Sequence, residues 1–119
     1  MEEKNIFGTH SLMTLTTSAA DKLTDENTFC AFTDFLIDEY GLEKVGQVVH
    51  KFESQGFTAS FCLKESHICI HTWPELKSLT LDVYLCNYSQ DNTDKVQEIS
   101  ASYIRYFSAS IVKRNTIER

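Results

Sequence analysis

Proline, glycine and basic residues are all scarce in this 119-residue sequence. It holds one proline and four glycines, so no stretch resembles a flexible linker between domains. Its 11 Lys and Arg residues are outnumbered by 17 Asp and Glu residues, which gives a formal net charge of -6. Because proteins bind nucleic-acid phosphates with clustered basic side chains, we expect no nucleic-acid partner. We predict a single domain over residues 1–119.

Long apolar runs and closely spaced cysteine pairs are also missing. No stretch suits a membrane span, and the first residues are too polar for an export signal. The four cysteines, Cys30, Cys62, Cys69 and Cys86, form no C-x-x-C pair and no compact disulfide pattern. We therefore expect a cytoplasmic protein with reduced thiols and no membrane contact.

The hydrophobic pattern that is present predicts six strands and two helices. Alternating and short apolar runs place strands at 6–16, 45–52, 57–63, 67–72, 79–85 and 108–113. One amphipathic helix follows a cap at Thr24 or Asp25 and ends at Gly41. A second follows a cap within residues 91–93 and carries an apolar stripe that ends at Phe107.

This order of elements favours an α+β two-layer sandwich. The short turns between the central strands predict a mainly antiparallel sheet, since parallel neighbours need long crossovers. Two helices with one apolar stripe each can cover only one face of that sheet. The other face must be solvated or meet a second copy of the chain, and a C2 homodimer is the commonest solution.

Most of the chemically active side chains lie in the segment from Glu65 to Glu75, which reads ESHICIHTWPE. His67, Cys69 and His71 alternate onto one face of a strand there. Residue types alone leave three interpretations open. The three residues could be ordinary strand residues, zinc ligands in a spacing that matches no common zinc pattern, or a nucleophile with a nearby base.

The sequence around this segment is similar to the small prokaryotic S-adenosylmethionine decarboxylases. The run SHICIHTWPE, from Ser66 to Glu75, resembles the self-processing motif of that family. The similarity extends outward to Gly8-Thr9-His10, to His50-Lys51-Phe52 and to LDVYLC at 81–86. Because these motifs stay in register over roughly residues 8–86, the resemblance is more specific than one short motif.

The resemblance implies a chain that cuts itself between Glu65 and Ser66. Ser66 would attack the preceding carbonyl and become a pyruvoyl group, which forms a Schiff base with the substrate amine and accepts electrons as carbon dioxide leaves. The implied substrate is S-adenosylmethionine, whose product donates aminopropyl groups in spermidine synthesis. The pyruvoyl group is the only cofactor implied, and no metal is expected.

The family resemblance also implies roles for three further residues in processing and turnover. His71 corresponds to the histidine that assists processing, and imidazole is a suitable proton carrier near neutral pH. Thr58 occupies a position where the family has a serine that assists the same step. Cys86 corresponds to the cysteine that returns a proton to the substrate carbon.

Substrate contacts are implied at two positions. Phe52 corresponds to an aromatic residue that stacks on the adenine, and Glu75 to a carboxylate that binds the ribose hydroxyls. His10 and Glu65 are expected near the site without an assigned role.

Two features of the sequence leave questions for the structure. In one regular strand Ser66 and His71 would point to opposite faces, so they converge only if the strand bends, bulges or begins after Ser66. The segment Leu76-Lys77-Ser78 replaces a glycine-aromatic segment of the family, and the C-terminus is shorter than usual. Two alternatives therefore stay open: a decarboxylase of arginine or ornithine, and an uncleaved regulatory homologue.

Overall fold

Alternating burial along the strands gives the protein one sheet with a buried face and an open face. The computed structural model describes residues 7–88 and 90–119. The strands are β1 (Gly8–Thr16), β2 (Lys44–Lys51), β3 (Phe57–Leu63), β4 (His67–Trp73), β5 (Ser78–Cys86) and β6 (Ser110–Glu118). The helices are α1 (Glu26–Glu39) and α2 (Thr93–Phe107), with short 3-10 turns at Ala20–Leu23 and Pro74–Leu76. Ile6, which belongs to the predicted first strand, lies outside the described residues.

The six strands form one antiparallel sheet in the order β2-β3-β4-β5-β1-β6. Strands β2 to β5 are neighbours in sequence as well as in space, as expected for strands joined by short turns. Strand β1 instead lies between β5 and β6. An early strand is thus inserted between two late ones.

Both helices pack on the same face of the sheet. Helix α1 lies against β2 and β3, and α2 lies against β1 and β5. Buried Phe29 of α1 links the two layers, because its ring lies 5.6 Å from Phe57 of β3 and 5.5 Å from Tyr103 of α2. The predicted two-layer α+β sandwich, with an antiparallel sheet and both helices on one face, is confirmed.

The first helix begins and ends where the sequence predicts. Of the two candidate caps, Asp25 is the one used, and its Oδ1 accepts a hydrogen bond of 3.0 Å from the Thr28 amide. Gly41 lies just beyond the helix with φ of +67°, a conformation that favours glycine. Helix α2 is preceded by Asn92 and ends at Ser108, which also has positive φ.

The last strand differs from its prediction of 108–113. Ser108 ends α2, and β6 runs from Ser110 to Glu118, paired along its length with β1. The second half of β6 is polar and exposed, so it carries no alternating pattern from which a strand could be predicted. Its backbone hydrogen bonds to β1 hold it in place at the edge of the sheet.

The face opposite the helices carries most of the polar and reactive strand residues. Side chains at alternate positions of β3, β4 and β5 point there and are half-buried or exposed. They include Thr58, Ser60, Cys62, His67, Cys69, His71, Asp82, Tyr84 and Cys86. Within the described residues no helix covers this face.

Candidate active site

The turn between β3 and β4 places Ser66 just outside the sheet. Cys62 and His67 form the last paired position of the two strands, so β4 begins one residue after Ser66. The Leu63 amide donates a hydrogen bond of 2.9 Å to the Ser66 carbonyl and closes the turn. Because Ser66 precedes the strand, its half-buried side chain is free of the strand's alternation.

The Ser66 side chain meets the end of β5. The backbone amide of Cys86 donates a hydrogen bond of 2.9 Å to Ser66 Oγ. The Cys86 thiol in turn donates to Glu65 Oε1 over 3.2 Å, and the Tyr88 amide donates to Cys86 Sγ over 3.3 Å. We call Glu65, Ser66 and Cys86 the serine cluster. It brings together three residues that the sequence analysis singled out.

Burial is the main reason that the pKa of the Cys86 thiol is raised. The hydrogen bond from the Tyr88 amide acts in the opposite direction, while the hydrogen bond to Glu65 and its negative charge add to the increase. The thiol therefore stays protonated at neutral pH. A protonated thiol can give up a proton, as an acid catalyst must.

A cavity of about 280 Å³ opens beside the serine cluster. Its walls come from four parts of the chain: the loop before β2, the β3–β4 turn, the end of β5 and the start of α2. They include Leu42, Glu43, Lys64, Glu65, Ser66, Cys86, Asn92 and Lys95. The cavity is large enough for part of a small-molecule substrate.

The sequence analysis did not assign most of this wall to the site, including Asn92 and Lys95. Asn92 precedes α2, but its side chain makes no cap and instead donates to the Cys86 carbonyl over 2.7 Å. Lys95 Nζ donates to the Tyr40 carbonyl over 3.0 Å. An asparagine before a helix predicts only a cap, so no signal in the sequence points to the Cys86 contact.

A second group lies at the other end of β4. Thr58 and His71 are paired neighbours on β3 and β4, and Thr58 Oγ1 forms a hydrogen bond of 2.7 Å with His71 Nδ1. The His71 ring is exposed and stacks on Trp73 with a centroid distance of 6.1 Å. We call Thr58 and His71 the histidine pair.

Phe52 and Glu75 lie at the same end of the sheet as the histidine pair. Phe52 directly follows β2, and Glu75 lies in the 3-10 turn that follows β4. The β2–β3 turn packs closely against the end of β4 at Gly56. An added Cβ there would lie 2.5 Å from the Thr72 carbonyl oxygen and 2.7 Å from Pro74 Cδ. Glycine is therefore needed for this close approach.

The serine cluster and the histidine pair do not meet within one chain. His71 lies five residue steps along extended backbone from Ser66, which corresponds to about 17 Å at the rise of a β-strand. The sequence left open whether a bend would bring them together. Strand β4 does begin after Ser66, but it then runs regularly from His67 to Trp73 and keeps the two groups apart.

His10 lies near the serine cluster but does not touch it. Its ring is 5.5 Å from both His67 and Tyr84, and its Nε2 is 3.9 Å from an Asp82 carboxylate oxygen. Burial lowers the pKa of His10, although the charge of Asp82 opposes this shift. The His10 imidazole thus packs beside His67, the first residue of β4.

The remaining interpretations of the Glu65–Glu75 segment can be compared with this geometry. Cys69 Sγ lies 3.2 Å from Ser60 Oγ, and the His67 ring stacks on Tyr84 at 5.4 Å. Across residues 7–88 and 90–119, no three His, Cys, Asp or Glu side chains come together as a metal site would require. None of the helices described is long and apolar enough to cross a membrane.

The segment Leu76-Lys77-Ser78, which the sequence analysis expected to differ from the family, lies at the end of a tight turn. Lys77 adopts a left-handed conformation with φ of +51° and ψ of +38° after the turn Pro74–Leu76. Its carbonyl accepts a hydrogen bond of 3.0 Å from the Thr17 amide, which fixes the turn against the end of β1. Leu76 is 65% exposed and adjacent to Glu75, so an apolar side chain lies next to an expected substrate contact.

Comparisons with known proteins all point to one family. The family profile described as S-adenosylmethionine decarboxylase matches residues 9–119. The S-adenosylmethionine decarboxylase proenzyme of Archaeoglobus fulgidus is 27% identical over 114 residues, 96% of this chain and 98% of the relative. The proenzyme of the same name from Syntrophomonas wolfei is 36% identical over 81 residues, 68% of this chain and 61% of the relative.

A solved structure shows the same similarity in three dimensions. The crystal structure of the adenosylmethionine decarboxylase from Aquifex aeolicus has a TM-score of 0.85 and 26% sequence identity to this chain. The superposition covers 98% of this chain and 92% of the other. The fold, including the sheet that carries the serine cluster, is therefore shared with that protein.

Proposed function

This chain belongs to the S-adenosylmethionine decarboxylase family, and from that premise we propose a self-processing enzyme that removes carbon dioxide from S-adenosylmethionine. One observation carries the proposal: a half-buried serine hydroxyl in a hairpin turn accepts a hydrogen bond from the amide of Cys86, whose thiol donates to the neighbouring Glu65. The product would serve as the aminopropyl donor in spermidine synthesis. We propose a cytoplasmic location for this activity.

The surroundings of Ser66 fit a pyruvoyl group made from that residue. The Leu63 amide donates to the Ser66 carbonyl, an oxygen that conversion to pyruvoyl would retain. The scissile bond lies in the turn, so breaking it would leave all five pairings between β3 and β4 intact. When formed, the group would supply an electrophilic carbonyl that accepts electrons from the substrate.

Cleavage would begin with the Ser66 hydroxyl. Its oxygen would attack the Glu65 carbonyl carbon, and the peptide bond to the Ser66 nitrogen would break as an ester forms. The Cys86 amide holds that oxygen through a hydrogen bond of 2.9 Å, which limits its rotation before attack. Cys86 would act later, when its protonated thiol returns a proton to the substrate carbon that has lost carbon dioxide.

The later steps of processing need a base, and the best candidate is His71 of a second copy. Within one chain His71 lies about 17 Å along β4 from Ser66. A C2 dimer formed through the open sheet faces would place the β4 strands of the two copies against each other. If they ran in opposite directions, the serine cluster of one copy would meet the partner's histidine pair.

The proposed substrate, S-adenosylmethionine, follows from two residues at the end of the sheet that carries the histidine pair. Phe52 offers an aromatic face to a purine, and Glu75 offers carboxylate oxygens to a ribose diol. Both residues flank the histidine pair, so they would reach the same composite site. Arginine and ornithine would use neither contact, and the comparisons do not favour these substrates or a regulatory role.

The experiment that tests the proposal is an intact mass measurement under denaturing conditions. We expect two fragments, residues 1–65 and residues 66–119 with a pyruvoyl terminus, together with carbon dioxide release from S-adenosylmethionine. Ser66→Ala is the matched control and should stay at full length. A wild-type chain that remains uncut for days would contradict the proposal, and release from arginine or ornithine alone would contradict the substrate.

A further inference from the structure

The Glu65 side chain makes a contact that the proposed function does not use. Cleavage acts on the main chain of Glu65: the bond from its carbonyl carbon to the Ser66 nitrogen breaks, and that carbon ends as a C-terminal carboxylate. The exposed side-chain carboxylate nevertheless accepts a hydrogen bond of 3.2 Å from the Cys86 thiol. The two residues come from the β3–β4 turn and the end of β5, so the fold brings together the residue before the cut and the proposed proton donor.

Two hydrogen bonds fix the orientation of the Cys86 sulfur. The thiol donates to Glu65 Oε1, while the Tyr88 amide donates to the sulfur over 3.3 Å. In the uncut chain the amide of Cys86 also donates to Ser66 Oγ, an oxygen that processing would transfer to the new C-terminal carboxylate of Glu65. The thiol therefore has a defined direction beside the residue that would carry the electrophilic group.

Charge at this position also favours the protonated thiol. A thiolate at Cys86 would lie beside the Glu65 carboxylate, and like charges at this distance repel. This charge and the hydrogen bond to Glu65 both raise the pKa of Cys86, in addition to the larger effect of burial. The other charged groups around the adjoining cavity are Glu43, Lys64 and Lys95, which the substitution tested below leaves unchanged.

We propose that Glu65 is a positioning residue that keeps the Cys86 thiol protonated and oriented for proton return, an inference that rests on the proposed function. In that step a C–H bond forms at the substrate carbon that has lost carbon dioxide, and the S–H bond of Cys86 breaks. The bonding electrons stay on sulfur as a thiolate. The thiolate then takes a proton from solvent, which restores the thiol beside the Glu65 carboxylate.

The first test measures the thiol without any catalysis. Glu65→Gln is introduced into the uncut Ser66→Ala chain, and alkylation of the Cys86 peptide by iodoacetamide is followed by mass spectrometry from pH 6 to 10. We expect the Cys86 alkylation curve to move to lower pH, with a roughly three- to tenfold faster rate near neutrality. Glu39→Gln, an exposed carboxylate-to-amide change at the end of α1, should leave the curve unchanged.

The second test uses the processed enzyme and its pH profile. Turnover is counted per pyruvoyl-bearing chain, so that a change in cleavage is not mistaken for a change in proton return. Because a protonated thiol is needed, turnover falls as the pH rises through the pKa of Cys86, and Glu65→Gln should move this alkaline limb to lower pH. Glu65→Asp keeps the charge and should retain more of the wild-type profile.

The outcomes separate this inference from the proposed function. If wild type cuts itself and turns over, but Glu65→Gln changes neither the alkylation curve nor the alkaline limb, the role of Glu65 is refuted. If wild type never cuts itself, the proposed function is refuted, and that result comes from the unmodified chain rather than from any Glu65 variant.

Discussion

At one end of β4 the chemical groups are held by backbone hydrogen bonds, whereas at the other end they are exposed and held by side chains. Ser66 Oγ and Cys86 Sγ each accept a hydrogen bond from a backbone amide. His71 is exposed and is joined to Thr58 by one hydrogen bond. We call the serine cluster the rigid half, because backbone amides hold its serine oxygen and its sulfur. We call the histidine pair, together with Phe52 and Glu75, the adaptable half, because the His71 ring is open to a second surface.

This difference suggests that one copy of the chain supplies the nucleophile and the other copy supplies the proton carrier. A nucleophile benefits from a fixed position before reaction, while a proton carrier benefits from access to the group that it serves. The exposed His71 ring lies on the sheet face that no described helix covers. Each composite site would then combine a rigid half from one copy with an adaptable half from its partner.

The largest expected effect is on self-cleavage, when an intact Ser66 and an intact His71 are supplied by different chains. Ser66→Ala and His71→Ala should each remain uncut alone. When they are co-expressed with different tags and purified as mixed dimers, the His71→Ala chain should be cut, because its Ser66 meets an intact histidine pair. Denaturing mass spectrometry of the doubly purified protein reads the result directly.

An uncut mixed dimer, with both tags verified, would show that the two halves do not complement each other between copies. Cleavage of wild type as a monomer in dilute solution, checked by light scattering, would lead to the same conclusion. Either result would contradict a site shared between two copies of the chain.

A smaller but still large effect is expected within the rigid half. Cys86→Ala should still cut itself, because Ser66 accepts its hydrogen bond from the backbone amide of residue 86 rather than from the thiol. Turnover should fall by about 100- to 10,000-fold, the usual contribution of a general acid. Full turnover per processed chain would show that the thiol is only a packing residue.

The adaptable half should respond mainly through substrate binding. Phe52→Leu removes the aromatic face and should raise KM for S-adenosylmethionine by about 5- to 150-fold, since base stacking contributes about 1–3 kcal/mol. Phe35→Leu is the control, because Phe35 lies on α1 and is 57% exposed. Steady-state kinetics with an unchanged KM for Phe52→Leu would argue against stacking.

The smallest expected effect concerns the turn beside the adaptable half. Lys77 adopts positive φ, so Lys77→Gly should raise the free energy of unfolding by roughly 0.5–1 kcal/mol. Lys113→Gly in β6 should lower it by a similar amount, because glycine weakens a strand. Urea unfolding of both variants in the uncut Ser66→Ala chain gives the comparison, and a loss of stability in Lys77→Gly would contradict it.

Local patterns in the sequence were enough to predict most of the fold. Alternation at Phe57, Ala59, Phe61 and Leu63 identified a strand with one buried face, and all four residues are buried. Asp25 and Gly41 marked the ends of α1 because each has a specific backbone preference. The second half of β6 could not be predicted, since its order comes from pairing with β1 rather than from its own pattern.

The sequence nominated several residues of the candidate site, but it could not predict how they are arranged. Family resemblance supplied Ser66, His71 and Cys86, yet no local rule says that β4 stays regular and separates the first two. The contact between Glu65 and Cys86 joins residues 21 positions apart through the β5 end, so only the folded sheet reveals it. The role of Asn92 could not be predicted for a similar reason, because its side chain donates to the Cys86 carbonyl instead of capping α2.

Because β1 lies between β5 and β6, the protein would refold less readily after self-cleavage than before it. A cut after Glu65 assigns β1, β2, β3 and α1 to one fragment and β4, β5, β6 and α2 to the other. The fragments then alternate across the sheet, so neither can leave without breaking strand pairs on both sides of β1. Refolding of the uncut chain is unimolecular, whereas refolding of the cut protein needs two molecules to meet and should slow on dilution.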